Sequence, residues 1–209
     1  MSMREKLVFV SEAMHQKIRN TFGVTEIPTP DYGWDNFRYK SLIFRQAHVE
    51  RYFQDGLMVV HVTCIPHAVD PSPIFGFDIV ASEKTGKISG AFLDWSPVLY
   101  DTSWHNSEWS GERILPEWAT VFSQQFIAIR PENDEILDFA IKSFGDYLNM
   151  LSDAVPVDTD AARQAIVEKQ NEYCEKQSQN PRTFAALKHK IGEEKARFFM
   201  QNVLFPKLP

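Results

Sequence analysis

Cysteine is scarce in this chain of 209 residues: there are two, Cys64 and Cys174, and neither belongs to a CxxC pair. That excludes a disulfide scaffold and reads as two reduced thiols in a cytoplasmic protein. No apolar run approaches 18 residues, so no membrane-spanning helix is expected. The amino terminus, MSMREKLVFVSEAM, has neither a secretory hydrophobic segment nor a small-residue cleavage site. There is no excess of basic charge, and the net charge of −6 argues against general nucleic-acid binding. GxGxxG, P-loop, GxSxG and HExxH motifs are all missing, so nothing points to a nucleotide cofactor, an activated serine or a zinc protease. A redox enzyme built this way has to take its electrons from outside.

What is present is enough apolar material for a large core, 44% of the residues, with 13% aromatic. This is neither a disordered chain nor a coiled coil. With no linker in view, residues 1–209 read as a single domain. Charge is uneven along it. From Ala161 to Pro209 there are nine Lys and Arg against five Asp and Glu, which leaves about −10 on the remainder. A basic tail on an acidic protein is either a docking surface for an acidic partner or a solvated helix face.

The most informative stretch runs from His48 to Asp78. Leu57 to Ile65 and Ile74 to Val80 are β-branched and apolar, with His61 alone in the first and Asp78 alone in the second. Ionisable groups inside strands fit for burial are costly unless paired. A loop from Pro66 to Pro73 sets Ile65 opposite Ile74 and therefore His61 opposite Asp78. A two-residue turn at Asp55-Gly56 sets Glu50 opposite His61, with His48 on the same face two residues back. One face thus gathers His48, Glu50, His61 and Asp78, with Gly76 leaving space. The other face carries Met58, Val60, Val62, Cys64, Phe75, Phe77 and Ile79 against helices.

Around this centre, Val8 to Phe22 has helical spacing through Met14, Ile18 and Phe22, and Val24 to Asn36 reads as loop. Phe37 to Phe53 reads as one strand or two, Ile88 to Trp95 and Phe122 to Arg130 as further strands, and Leu99 to Pro116 as irregular. From Asn133, a plausible N-cap, the period becomes helical. Helices are expected from there to Leu151, from Asp158 or Thr159 to Gln177, from Arg182 to Ile191, and beyond Gly192. The expected fold is α+β, a three-layer α/β/α sandwich with a central antiparallel sheet.

Two imidazoles and two carboxylates on one face admit a structural hydrogen-bonded network, a metal site of the two-His-one-carboxylate kind, or a proton-transfer site. The sequence also carries AHVE at 47–50, HVTCIP at 61–66, PIFGFDIVA at 73–81, FLDWSP at 92–97, RILPEW at 113–118, FIAIRP at 126–131, EYC at 172–174, NPRT at 180–183 and VLF at 203–205. In order and spacing these resemble the ferredoxin-dependent bilin reductases, from about Phe37 onward. The resemblance implies an enzyme with no bound metal or flavin. Reduced ferredoxin would supply single electrons to biliverdin IXα, held between the sheet and the carboxy-terminal helices.

By motif, the resemblance assigns Asp78 as the central acid and His61 as the histidine sharing its proton. It assigns Glu50 to the exocyclic vinyl reduction and His48 to orienting and relaying to it. Arg113 corresponds to a propionate partner, Ser89 to a second propionate contact, and Asn180 and Arg182 to the carboxy-terminal loop lining the site. Trp118 and Tyr173 correspond to aromatic positions of the pocket. Phe75 lies near the ligand in that family, whereas alternation puts it on the opposite face. One departure stands out: Asn180-Pro181-Arg182-Thr183 has no carboxylate where the family often has an aspartate. With Glu50 and His61 present, the implied product is phycocyanobilin, by four-electron radical reduction. Phycoerythrobilin, or a bilin-binding protein without turnover, is the alternative. The resemblance implies ferredoxin as partner, while the cysteine usage points to the cytoplasm and the helices expected on both sheet faces point to a monomer.

Overall fold

The computed structural model describes residues 1–100, 103–117 and 119–209. Its centre is a seven-stranded antiparallel sheet whose strands lie side by side in chain order. They are β1 (Thr25–Ile27), β2 (Asp35–Lys40), β3 (Phe44–Gln54), β4 (Leu57–Pro66), β5 (Ile74–Ser82), β6 (Ile88–Ser96) and β7 (Ile127–Ile129). The helices are α1 (Met3–Arg19), α2 (Glu135–Asp153), α3 (Asp160–Ser178), α4 (Pro181–Ile191) and α5 (Glu193–Phe198), the last running into a π-helical turn over Phe199–Leu204.

Short-range chemistry sets the register. Asp55 and Gly56 both have positive φ, 56° and 75°, the backbone of a type I′ turn, and Gln54 pairs with Leu57 across it. Counting back along the hairpin, Glu50 faces His61, and across the next pair His61 faces Asp78. The alternation argument therefore holds on both faces. Met58, Val60, Val62, Cys64, Phe75, Phe77 and Ile79 are buried in the larger core, together with Leu7, Val10, Met14 and Ile18 of α1 and Phe144 and Tyr147 of α2. Phe75 belongs to this side, its ring 4.8 Å from that of Phe144. The opposite face is covered by α3 to α5 and the π-helical turn, whose Ile166, Tyr173, Cys174, Ala196, Phe199, Met200, Val203 and Leu204 form a second core. The arrangement is the expected α+β, helix–sheet–helix.

Four expectations need correcting. Helix α1 ends at Arg19, and Phe22 lies beyond it, exposed, so it is not part of the buried stripe. The segment from Val24 to Asn36 contains β1 and the start of β2, which pair with each other at the sheet edge. Only Ile127–Ile129 of the stretch from Phe122 to Arg130 is strand, because Ser123 is drawn aside. Its N–H and hydroxyl both donate to the buried carboxyl of Asp94, at 3.0 and 2.5 Å. At the start of α2 the cap position is Asp134, which pairs with Lys6 instead of capping. Asn133 accepts from the Glu135 N–H at 3.1 Å.

One buried side chain locks the loop that sets His61 against Asp78. The Tyr147 hydroxyl is placed 3.0 Å from the Cys64 carbonyl and 2.9 Å from that of Pro73, on either side of the β4–β5 connection. Tyr147→Phe strands two buried acceptors and is expected to destabilise the protein by about 1–2 kcal/mol. A urea midpoint equal to wild type, with an unchanged slope, would refute this.

Candidate active site

Two rows of residues cross the sheet on the face covered by α3 to α5. The first is Asn36, Glu50, His61, Asp78 and Phe92, each directly across from the next. The second is Arg38, His48, Thr63, Gly76 and Asp94. The period of two puts both rows on one face, and the antiparallel ladders align them. All four residues expected at the centre are thereby brought together.

Their environments differ. His48, Glu50 and His61 are buried, whereas the side chain of Asp78 is 44% exposed. His61 Nδ1 lies 2.8 Å from Asp78 Oδ1, and His48 Nε2 lies 2.5 Å from Asn36 Oδ1. The imidazoles are 5.5 Å apart between ring centroids. Burial pulls the His61 pKa down, but the charge and hydrogen bond of Asp78, aided by Glu50, more than reverse it, so the net direction is up. His48 goes the other way, held well below its ordinary value by burial and then by His61 and Arg38. Burial raises Glu50 to about 7; the charge of Asp78 adds to the rise and that of His61 opposes it. Neighbouring groups pushed apart in this manner are the usual basis of acid and base roles at neutral pH.

Among the described residues, several buried polar atoms here have no partner: Asn36 Nδ2, His48 Nδ1, His61 Nε2 and Thr63 Oγ1. Such atoms are costly in a finished core and common where a ligand completes the bonding. The helical layer sits close above them. Phe199 meets the His48 ring edge-on at 6.4 Å, and Phe205 meets His61 at 6.1 Å. The space expected beside Gly76 is taken by Tyr173, whose hydroxyl would stand 3.3 Å from a Cβ there. A cleft of about 440 Å³ opens on another part of the surface, lined by Trp109, Glu132 and Phe139 among others, and contains none of the expected site residues.

Toward β6 the face becomes flat, aromatic and basic. The Phe92 and Phe126 rings stack at 6.4 Å, and those of Phe126 and Phe122 at 4.0 Å. Arg113 lies over Phe92, its guanidinium 5.5 Å from the ring centroid, and donates to the Ser89 carbonyl at 2.7 Å. Burial, then the like charges of Arg130 and Arg182, hold the Arg113 pKa below its ordinary value. Ser89 sits at the irregularity where β6 slips against β5 between Val80 and Ala81. Its hydroxyl donates to the Val80 carbonyl, leaving its own carbonyl to hold Arg113 and, at 3.4 Å, Arg130. Asn180 is the N-cap of α4, its Oδ1 accepting from the N–H groups of Arg182 and Thr183, so only its amide nitrogen is left over. Trp118 lies outside the described residues.

Asn36 lies in a segment that two prolines and a glycine mark as loop, which hides it from a reading of the sequence. The alternation in DNFRYK, polar at 36, 38 and 40 and aromatic at 37 and 39, was the signal available. Trp34, Phe199 and Phe205 reach the site through tertiary packing alone. Among the described residues, no three His, Cys, Asp or Glu side chains are placed to hold a metal ion together. His61 and Asp78 instead form one hydrogen-bonded imidazole–carboxylate pair, which suits proton transfer, while His48 bonds to the Asn36 amide.

The family model described as ferredoxin-dependent bilin reductase matches residues 31–206. Phycocyanobilin:ferredoxin oxidoreductase of Trichodesmium erythraeum is 30% identical over 183 residues, 80% of this chain and 74% of that protein. The protein of that name from Gloeobacter violaceus is also 30% identical, over 80% of this chain and 71% of its own. In fold, the chain is similar to the solved structure of PcyX, with a TM-score of 0.69, 24% identity and coverage of 97% and 99%. It is similar also to tomato phytochromobilin synthase solved with biliverdin, with a TM-score of 0.71, 16% identity and coverage of 94% and 81%. A family match over residues 31–206, relatives 30% identical over most of the length and the shared fold place this chain in the ferredoxin-dependent bilin reductase family of oxidoreductases.

Proposed function

We propose that this chain reduces biliverdin IXα to phycocyanobilin, taking four electrons one at a time from reduced ferredoxin and supplying four protons. The observation that carries the reading is the single row Glu50–His61–Asp78, in which a half-exposed carboxylate is hydrogen-bonded to a buried imidazole of raised pKa. A tetrapyrrole is flat and apolar with two carboxylates at its edge. The stacked Phe92, Phe126 and Phe122 rings offer it a surface beside Asp78, and Arg113, Arg130 and Arg182 offer partners for its propionates. Asp78 and His61 share the proton given to the conjugated centre, while Glu50, buried and raised to about 7, gives one at the exocyclic vinyl group with His48 beside it. The loop Asn180-Pro181-Arg182-Thr183 brings no carboxylate, so the protons come from the sheet.

Ferredoxin is acidic, and the net positive segment from Ala161 to Pro209 is its docking side in this reading. The chain acts as one domain and a monomer in the cytoplasm. Both faces of its sheet are covered by its own helices, and among the described residues no helix is long and apolar enough to cross a membrane. The test is an anaerobic assay with biliverdin, reduced ferredoxin and chromatography of the products. The expected result is loss of the biliverdin absorbance and a product eluting with phycocyanobilin. Bilin that binds but keeps its absorbance after reduced ferredoxin is added would overturn the enzymatic reading. A product eluting with phycoerythrobilin would overturn the assigned product.

A further inference from the structure

Asn36 stands where two otherwise separate features of the site meet. It pairs across β2–β3 with Glu50, and its side chain reaches the diagonal neighbour His48. Its Oδ1 lies 2.5 Å from His48 Nε2, while its Nδ2 is buried without a partner, as is His48 Nδ1. An amide oxygen only accepts, so the hydrogen bond exists only if the imidazole carries its proton on Nε2. The other ring nitrogen is then a bare lone pair, buried 5.5 Å in ring-centroid separation from His61, whose Nε2 is also unpartnered.

We propose that Asn36 is a positioning residue that fixes His48 in the Nε2–H tautomer, so that His48 takes up a proton on Nδ1 instead of supplying one. The charged and titratable groups facing His48 are Arg38 from β2, Glu50 from its own strand and His61 from β4, with Phe199 closing the helical side. Burial and the cations among these keep the ring neutral at rest. His48 therefore starts each cycle with nothing to give. When a donor's bond to hydrogen breaks and Nδ1–H forms, the ring becomes imidazolium with Nε2–H still on Asn36. Discharging Nδ1 returns it to the same tautomer. Asn36 makes the pair directional: His61, raised and bonded to Asp78, rests as the donor, and His48 as the acceptor. The catalytic consequence rests on the bilin-reductase reading, but the tautomer does not.

The experiment uses the full chain labelled with 15N-histidine, its ring nitrogens assigned by NMR near pH 7, alongside Asn36→Leu and Asn36→Asp. The expected wild-type signature for His48 is a protonated Nε2 and a bare Nδ1. Asn36→Asp keeps an acceptor for the Nε2–H but adds a charge that raises the His48 pKa, as Asp78 does for His61, so both ring nitrogens are expected to carry protons, whereas Asn36→Leu gives mixed tautomers. In turnover with biliverdin, Asn36→Leu is expected to lower kcat by on the order of tenfold or more with KM little changed, and Asn36→Asp, whose His48 Nδ1 is already protonated, to lower kcat as well. A Nδ1–H tautomer or an imidazolium in the wild type overturns the proposal, as does an Asn36→Leu protein whose His48 keeps the Nε2–H form alone. If Asn36→Leu fails to fold, the wild-type and Asn36→Asp spectra decide the matter. A wild type with the expected tautomer that leaves biliverdin untouched would refute the enzymatic reading and leave the positioning role standing.

Discussion

Asp78→Asn is expected to leave the protein folded and able to bind biliverdin, while slowing its reduction by about 10²–10⁴-fold, the range for losing a positioned acid. The side chain is half-exposed, so no core is disturbed, and Asn still offers an amide oxygen to His61 Nδ1 at the 2.8 Å seen for the carboxylate. What disappears is an exchangeable acid proton and a negative charge. That charge, with its hydrogen bond, opposes the burial that lowers the His61 pKa, and of the two groups raising it only Glu50 remains. His61 then falls below its ordinary value and is neutral near pH 7, so one substitution removes both donors of the central pair. The measurement is single-turnover absorbance under anaerobic conditions, with urea unfolding as the control for stability. Reduction within threefold of wild type in a normally folded variant would show that the proton enters elsewhere.

How much of this was readable in the sequence follows from which interactions are local. The Asp55-Gly56 turn is a two-residue decision, and every register that matters to the site can be counted from it and from the Ile65–Ile74 pairing. The same alternation kept Phe75 on the α2 side, against the expectation carried by family resemblance. At the sheet edges such counting fails. The extent of β7 depends on Asp94, whose carboxyl, raised to about 6 by burial, reaches across to Ser123 and bends the chain before it can pair. The residues above the imidazoles were beyond reach for another reason. Phe199 and Phe205 are brought over His48 and His61 by a π-helical turn in which the Phe205 N–H bonds to the Met200 carbonyl, and that turn answers to packing against the sheet. Arg113 is legible only by motif. Its grip on the Ser89 carbonyl arises from a strand irregularity that periodicity does not announce.

Glu50→Gln separates stability from catalysis because the two are expected to move in opposite directions. In the folded protein burial raises Glu50 from its ordinary 4.5 to about 7, so the buried side chain prefers to be neutral. A carboxyl raised on folding contributes stability that is complete below the unfolded pKa and is lost as pH rises through the folded one. Between pH 4.5 and about 7 the gap corresponds to roughly 3 kcal/mol, an upper figure because His61 shares the charge. Gln has nearly the same volume and never ionises. The variant should therefore match wild type within about 1 kcal/mol near pH 5 and exceed it by a few kcal/mol at pH 8, read as a pH-dependent difference in urea midpoints. Catalysis should go the other way. In wild type, any step that draws its proton from Glu50 weakens as pH rises through 7. In the variant that step is absent at every pH, and a partly reduced bilin accumulates while reduction at Asp78 continues. Equal midpoints at pH 8 would mean that Glu50 is solvated and not held neutral. An unchanged product pattern would mean that the exocyclic proton has another source, and Asp78 with His61 would then have to serve both ends of the pigment.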